Sequence, residues 1–497
     1  MRRLPFTLIL LTFLCAPVVF SQTSAPDCAC ESQSLPETLA VVNGVKIPSS
    51  DIRKSTGDSV NQLQQQVVEA RKHELDLMIN SKLLALEAQK RGISTVKLLD
   101  QEVVAKVKKP GQTEAQVFYE QNKARIKGEF KEVVDDITSY LNEQAQQQEA
   151  KKFADSLRAS NEVKVLVTEV TPPATPADRA RVFATIKGEK ITSGDVEDAL
   201  LPLIFDVQQQ VYKLRKDELE LSINDTLLVQ EAQKRQITTN ALLEAEVKPK
   251  PVTDQQAQTF YDQNKERVSG DFAQTKDAIR QYLEQIEVRQ AERAFVEKLR
   301  TTATIQTFLV APESPVFSIS TNDQPSLGKT DAPVTIVAFT DYQCPSCAAM
   351  HPELERLVKE YGDKVRLVTR DFPLSQHAQA FKAAEAAEAA RDQGKYWEYI
   401  QILLRNQSAL TVDKLKGYAS ELALDRTRFD SALDSGKFAE SVQRDIEDGM
   451  KLGINGTPTL FINGRRVSAK GYDELKAIVD AAFKAATTKP QRSTKST

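Results

Sequence analysis

The sequence predicts an α+β multidomain chain: two mainly α-helical repeats, then an α/β domain that carries a helical insertion. Three observations lead there. A long internal duplication occupies residues 38–310, and each copy has helical spacing of its apolar residues. Further on, a β-rich apolar run, Val334 to Phe339, leads into Cys344-Pro345-Ser346-Cys347 and a helix-forming segment. At 497 residues the chain exceeds what one core supports.

Residues 1–21 have the layout of a secretory signal. Arg2 and Arg3 precede an apolar stretch that runs to Phe20, with a plausible cut after Ser21. The apolar stretch is short for a membrane span, and no later stretch is apolar enough to be one. A soluble, periplasmic or otherwise extracytoplasmic protein is expected. Hydrophobic residues make up 41% and charged residues 27%, with a net charge of -3, so nothing points to nucleic acid. Of five cysteines, Cys15 would leave with the signal. Cys28-Ala29-Cys30 lies in a polar leader, residues 22–37, where an incidental or local disulfide is expected. Four remaining cysteines are too few for a disulfide scaffold and suggest chemistry instead.

The repeats span 38–170 and 182–310, joined by a proline-rich linker, 171–181. Val41 to Ile52 recurs as Thr185 to Val196, and Glu87-Ala-Gln-Lys-Arg91 recurs as Glu231-Ala-Gln-Lys-Arg235. Phe118-Tyr-Glu-Gln-Asn-Lys123 recurs as Phe260-Tyr-Asp-Gln-Asn-Lys265. Each copy opens with a turn signal at Asn43-Gly44 or Lys187-Gly188, then Ser/Thr and Asp open a helix. Leu75, Met78, Ile79, Leu83 and Leu86 follow helical spacing. A second long helical region, Gln112 to Ser160 and again Thr253 to Leu299, has sparse apolar residues, so it is expected to extend from a body. The Asn-Gly opening, the Ile-Asn-x-x-Leu-Leu-x-x-Glu-Ala core and the Phe-Tyr-x-x-Asn-Lys helix resemble the chaperone domains of the SurA and PpiD proteins. That resemblance implies arms that cradle unfolded clients. No parvulin-like segment is visible, so prolyl isomerase activity is not expected. A spacer or homo-oligomerisation scaffold is the alternative reading of the repeats.

In the third domain, 316–486, Val334 to Phe339 reads as a buried parallel strand. Pro345 falls at the first helical position, which puts Cys344 at a helix N-terminus where N–H groups and dipole favour a thiolate. Cys347, one turn in, is expected to be shielded and to resolve mixed disulfides. A structural disulfide across two residues would add little, and a zinc site would need Cys28 and Cys30 to join from roughly 300 residues away; no metal or other cofactor is expected. Lys364 to Arg370 is a second strand, residues 375–451 are helical, Thr457-Pro458 enters a strand ending at Asn463-Gly464, and a final helix runs from Gly471 to Ala486. A proline after Gly-Thr at a strand entrance suits a cis bond. A polar basic tail, 487–497, is expected to be disordered.

Phe-x-Asp-Tyr-x-Cys-Pro-x-Cys, the helical insertion and Gly-x-x-Gly-Thr-Pro-Thr-x-x-Ile-Asn-Gly together resemble the DsbA-like thioredoxin-fold oxidoreductases. The resemblance implies that Cys344 is the nucleophile and Cys347 resolves. It also implies that Thr457 and Pro458 hold a substrate chain through main-chain hydrogen bonds. Such enzymes often carry a buried acid six residues before the first cysteine, and here Ala338 stands there. Asp341 is closer but is expected at the strand's exposed end, so proton handling at Cys347 is expected to rely on water or on Asp341, which with Pro345, Ser346 and His351 is a candidate for tuning the site. Ser346 lacks the charge a histidine would add, which argues against a strongly oxidising site. His351, two turns past Cys344, is expected at the surface, where it could still tune the thiolate; His377 is expected to pack. The functional expectation is an exported protein thiol-disulfide oxidoreductase acting on unfolded or folding proteins, recycled by a membrane or soluble redox partner. The alternative is a periplasmic chaperone or scaffold in which the redox domain is secondary.

Overall fold

The computed structural model describes residues 35–469 and 471–488. The signal-like segment, Cys28, Cys30 and nearly all of the tail lie outside the described residues. Among the described residues no helix is long and apolar enough to cross a membrane.

Each repeat begins with a β-hairpin and continues straight into a long helix. In the first copy these are β1 (Thr38–Val42), β2 (Val45–Pro48) and α1 (Ser49–Arg91). The copy continues with α2 (Thr95–Glu102), α3 (Gln112–Asn122), α4 (Phe130–Ala159) and β3 (Val163–Val165). The second copy repeats the series as β4 (Val182–Ile186), β5 (Glu189–Thr192), α5 (Ser193–Lys234), α6 (Thr239–Glu246), α7 (Asp254–Gln263), α8 (Phe272–Thr302) and β6 (Ile305–Thr307). The hairpins turn through two positive-φ residues, Asn43-Gly44 in one copy and Lys187-Gly188 in the other. That backbone matches the twist of tightly joined strands.

The long helical region expected after residue 112 is two helices in each copy, not one. The break falls at Gly128 and at Gly270, both at positive φ. Tyr119 Oη donates to the Gly128 carbonyl and Tyr261 Oη to that of Gly270, each at 3.0 Å. The paired helices also bury more than the sparse pattern suggested. Ala115, Tyr119 and Ile137 form a small core with Phe118, Phe130 and Val133 around them.

The two copies exchange their hairpins. The described residues form two compact units, one of them built from residues 35–69 and Val207–Pro312. In that unit the hairpin of the first copy is completed by the last strand of the second, giving the order β2-β1-β6. Leu39, Ala40, Val42, Ile47 and Ile52 pack on Leu219, Ile223 and Leu227 of α5. Asn43 Nδ2 donates to Gln230 Oε1 at 2.8 Å.

The other unit combines Ala70–Asp206 with Glu313–Thr497. Here the second copy's hairpin pairs with the first copy's last strand, order β3-β4-β5. Arg71 of α1 is buried against Glu197 of α5 at 2.8 Å. The remainder of this unit is the α/β domain. Its elements are β7 (Ser326–Leu327), β8 (Val334–Thr340), α9 (Pro345–Tyr361), β9 (Val365–Asp371), α10 (Ala380–Arg391), α11 (Tyr396–Arg405), α12 (Val412–Glu421), α13 (Arg426–Ser435), α14 (Ala439–Lys451), β10 (Thr459–Ile462), β11 (Arg465–Val467) and α15 (Tyr472–Thr488). The sheet runs β11-β10-β8-β9-β7, with β8 and β9 parallel and β10 antiparallel to β8. Apolar side chains cover both faces of β8. Ile336 and Ala338 pack with Leu354, Leu357 and Val479, while Val337 and Phe339 pack with Phe372 and Phe461. A strand buried on both faces reads as a continuous apolar run, which is why the sequence shows one. Helices α10–α14 form the insertion and enclose a separate core around Tyr399, Leu403 and Phe429. Leu201 of α5 packs against the Phe317–Phe461 cluster, so this domain carries a repeat residue on its surface.

The hairpin exchange is testable. Ile223→Ala removes buried volume beneath the β1–β2 hairpin and should cost about 2–5 kcal/mol. Deuterium uptake is expected to rise across Thr38–Pro48, far away in sequence, and to stay unchanged across Val182–Thr192. Increased uptake in the second hairpin and none in the first would exclude the exchange.

Candidate active site

The site forms where β8 ends and α9 begins. Cys344 is the N-cap residue of α9 in extended conformation, and Pro345 takes the first helical position. Proline fits because its missing N–H is one that the helix start leaves unbonded. The Cys344 carbonyl accepts from the N–H of Cys347 at 3.1 Å and of Ala348 at 3.2 Å. It also accepts from Gln407 Nε2 at 2.8 Å, and the same amide reaches the Tyr342 carbonyl at 3.1 Å. A side chain of the helical insertion thus clamps the backbone on both sides of Gln343. Pro345 and Ser346 are exposed.

Both cysteines carry free thiols. Cys344 Sγ lies 3.4 Å from the Thr457 carbonyl, and the Thr457–Pro458 bond is cis. The structure therefore brings together residues more than a hundred positions apart in sequence. Cys347 Sγ is 3.5 Å from the Asp341 N–H, and the residue is only 1% exposed. Burial pushes its thiol up from about 9 to about 12, partly offset by hydrogen bonding from the Asp341 backbone and Thr457. Desolvation penalises the charged form, so Cys347 is held as a thiol.

Asp341 corrects an expectation. It is not at an exposed strand end; its side chain is fully buried. The chain turns under the loop that follows β9, and that loop supplies donors. Asp341 Oδ1 accepts from Gln343 N–H at 2.7 Å, and Oδ2 accepts from Leu374 N–H at 2.8 Å. His377 Nδ1 lies 2.7 Å from Oδ2. His377 is thus Asp341's partner as well as a packing residue. The sequence offered no signal for this pairing beyond the presence of both residues.

His351 corrects another. It is 2% exposed, not at the surface. Neither ring nitrogen has a hydrogen-bond partner among the described residues. The reason is helix geometry: Cys347, His351, Leu354 and Leu357 all fall on the buried face of α9. Ala338, at the position of the expected acid, is fully buried and packs in an apolar cluster. Position 338 therefore supplies no carboxylate to the dithiol.

Sequence reasoning also missed a buried polar layer behind the site. Tyr342 Oη lies 3.0 Å from Asp371 Oδ1 and 2.7 Å from Tyr396 Oη. Burial, with Glu388 and Asp445 nearby, raises the Asp371 carboxyl well above the usual carboxylate range. Burial of this kind favours the uncharged acid, which suits its position at the end of a chain of two buried phenols, with Tyr342 in the middle.

Residues 320–481 match the family model described as "Thioredoxin", and this part of the chain is a thioredoxin domain. Among curated proteins, the Na(+)/H(+) antiporter NhaA 1 of Salinispora arenicola is 38% identical over 166 residues. That match covers 33% of this chain and 25% of the antiporter. The chain spans about a quarter of the length of the curated relatives it matches. Among solved structures, oxidised BdbD from Bacillus subtilis is 26% identical, with a TM-score of 0.32, covering 35% of this chain and 100% of that one. A thioredoxin-like oxidoreductase from Silicibacter pomeroyi is 30% identical, with a TM-score of 0.31, covering 33% of this chain and 94% of its own.

The raised Cys347 thiol has a consequence for stability. The unfolded chain releases this proton near pH 9, while the folded chain holds it to about pH 12. The contribution is therefore intact below about pH 9 and is lost as pH rises from there towards 12. The slope is at most about 1.4 kcal/mol per pH unit. Denaturant melts of the reduced protein should show this fall, and Cys347→Ala should lack it; parallel curves for the two proteins would refute it.

Proposed function

We propose that the protein is an exported thiol-disulfide oxidoreductase that acts on unfolded or folding proteins, with the helical repeats holding those clients. The observation that carries the redox reading is the inequality of the two thiols. Cys344 sits at the start of α9 beside the Thr457 carbonyl, while Cys347 is buried and held protonated. In this reading the Cys344 thiolate attacks a client disulfide and forms a mixed disulfide. Cys347 then displaces the client and closes the Cys344–Cys347 bond. In the opposite direction a client thiolate attacks that bond at Cys344, and Cys347 leaves. Thr457 and Pro458 would line the client strand, and Gln407 would hold the loop against it. A membrane or soluble redox partner resets the dithiol. The charged start and apolar run of residues 1–21 support export.

Cys347→Ser is expected to accumulate covalent client adducts that reductant releases, visible on non-reducing gels. Cys344→Ser should form none, and its disulfide exchange should drop to the uncatalysed background. Adducts that survive in Cys344→Ser would sink the assignment of the nucleophile.

A second reading makes the chain chiefly a chaperone or scaffold. It is favoured by a cleft of about 450 Å³ in the second repeat, lined by Val252, Phe260, Leu283 and Ile286 among polar residues. The two readings separate on a double variant, Phe260→Ser with Leu283→Ser. Arms that serve the dithiol predict a several-fold loss of kcat/KM on an unfolded protein and no change on glutathione. Weaker suppression of client aggregation, with exchange on both substrates unaffected, would favour the chaperone reading.

A further inference from the structure

The resolving thiol needs a base. Cys347 is buried and holds its proton far above neutral pH, so attack on a mixed disulfide requires an acceptor at hand. Ala338 supplies none, and Asp341 spends its carboxylate oxygens on Gln343, Leu374 and His377. The buried face of α9 offers another group. His351 follows Cys347 by four residues, and Glu355 follows His351 by four. Residues at that spacing are neighbours on one helix face, with Cβ atoms roughly 5–6 Å apart. Long helical side chains also lean toward the N-terminus, over the preceding turn. That spacing sets Cys347, His351 and Glu355 on successive turns of one face of α9, and neither His351 nitrogen is hydrogen-bonded among the described residues. Glu355 Oε1 lies 3.7 Å from His351 Nδ1, too long for a hydrogen bond but within ion-pair reach. Gln401 of α11 fixes that carboxylate through both oxygens, at 3.2 and 3.0 Å. The carboxyl of Glu355 is held below the usual range, first of all by His351. Trp397 packs beside the imidazole with ring centres 6.2 Å apart, and Arg405 is the further charge acting on Glu355.

A buried imidazole with both nitrogens unpaired costs stability, and a group of that kind is a candidate for a catalytic role. We propose that His351 is the proton acceptor of Cys347, and that Glu355 positions it and stabilises the imidazolium, along a single face of α9. The proposal rests on the oxidoreductase reading above. In resolution, the Cys347 thiol gives its proton to His351, and the thiolate attacks Cys344 Sγ. The Cys347–Cys344 bond forms, the Cys344–client bond breaks, and the client leaves as a thiolate that takes a proton from water. The cysteine pair is oxidised by two electrons and the client disulfide is reduced. In the reverse direction His351 returns the proton as Cys347 leaves. Glu355, at the margin of solvent, carries the path outward.

The test is rapid mixing of the reduced full-length protein with oxidised glutathione, acid quenching, and mass spectrometry to count mixed and internal disulfides from pH 5 to 9. The wild type should resolve quickly, with resolution slowing at low pH as an imidazole protonates. His351→Gln should accumulate the mixed disulfide, with resolution slowed on the order of 100-fold and that low-pH limb replaced by a steady rise with pH. Its first step, formation of the mixed disulfide at Cys344, should keep the wild-type rate, which also reports an intact fold. Glu355→Gln retains the imidazole but weakens it as a base, so its low-pH limb should move to lower pH. Wild-type resolution in His351→Gln, an unmoved limb in Glu355→Gln, or equal slowing of both steps would overturn the proposal. A wild type that forms no mixed disulfide at all would overturn the oxidoreductase reading, and this proposal with it.

Discussion

The carboxylate of Asp341 ties the end of β8 to the loop after β9 by accepting from two backbone N–H groups and meeting His377. Hydrogen bonds to a charged acceptor contribute about 1.5–3 kcal/mol each. More important here is what they fix. The Asp341 backbone N–H faces Cys347 Sγ, and the Asp341 carbonyl accepts from Cys344 N–H at 3.1 Å. One residue thus touches both cysteines through its backbone while its side chain is anchored from behind. The asymmetry between the thiols depends on that placement, because it sets Cys347 under the chain and leaves Cys344 at the helix start.

The helical insertion contributes more than bulk. Gln407 holds the backbone around Gln343, Gln401 fixes Glu355, and Tyr396 joins the buried layer behind Tyr342. All three come from α11 or just beyond it. The insertion therefore braces the backbone of the dithiol, while the approach to β10 sets the Thr457 carbonyl against Cys344 Sγ. A nucleophile held by fixed backbone on either side fits a reaction in which three sulfur atoms must align.

The repeats show how duplication and folding differ as units. In sequence each copy is complete, from hairpin to last strand. In space each hairpin sits on the helices of the other copy, because α1 and α5 are long enough to carry chain from one packing site to the next. The apolar residues that make this work, such as Leu39 and Ile223, look the same whichever copy they face. Composition alone gives no means of telling an exchanged pair from two closed ones.

What the sequence determined by itself was local. Helical spacing, the Asn-Gly turns, the apolar strand before Cys344 and the proline after it all act within a few residues, and the hairpins, the first long helix of each copy and the strand and helix around Cys344 formed where they placed them. The dithiol was legible because its two cysteines are neighbours in the chain, and Thr457-Pro458 because a known pattern carried it. Only the tertiary structure decided the rest. Asp341 reads from the sequence as the exposed end of its strand and His351 as a surface residue of its helix, yet packing by loops and helices distant in sequence buried both. Burial depends on what arrives from elsewhere in the chain, and so do the proton affinity of Cys347, the pairing of Asp341 with His377 and the exchange of the hairpins.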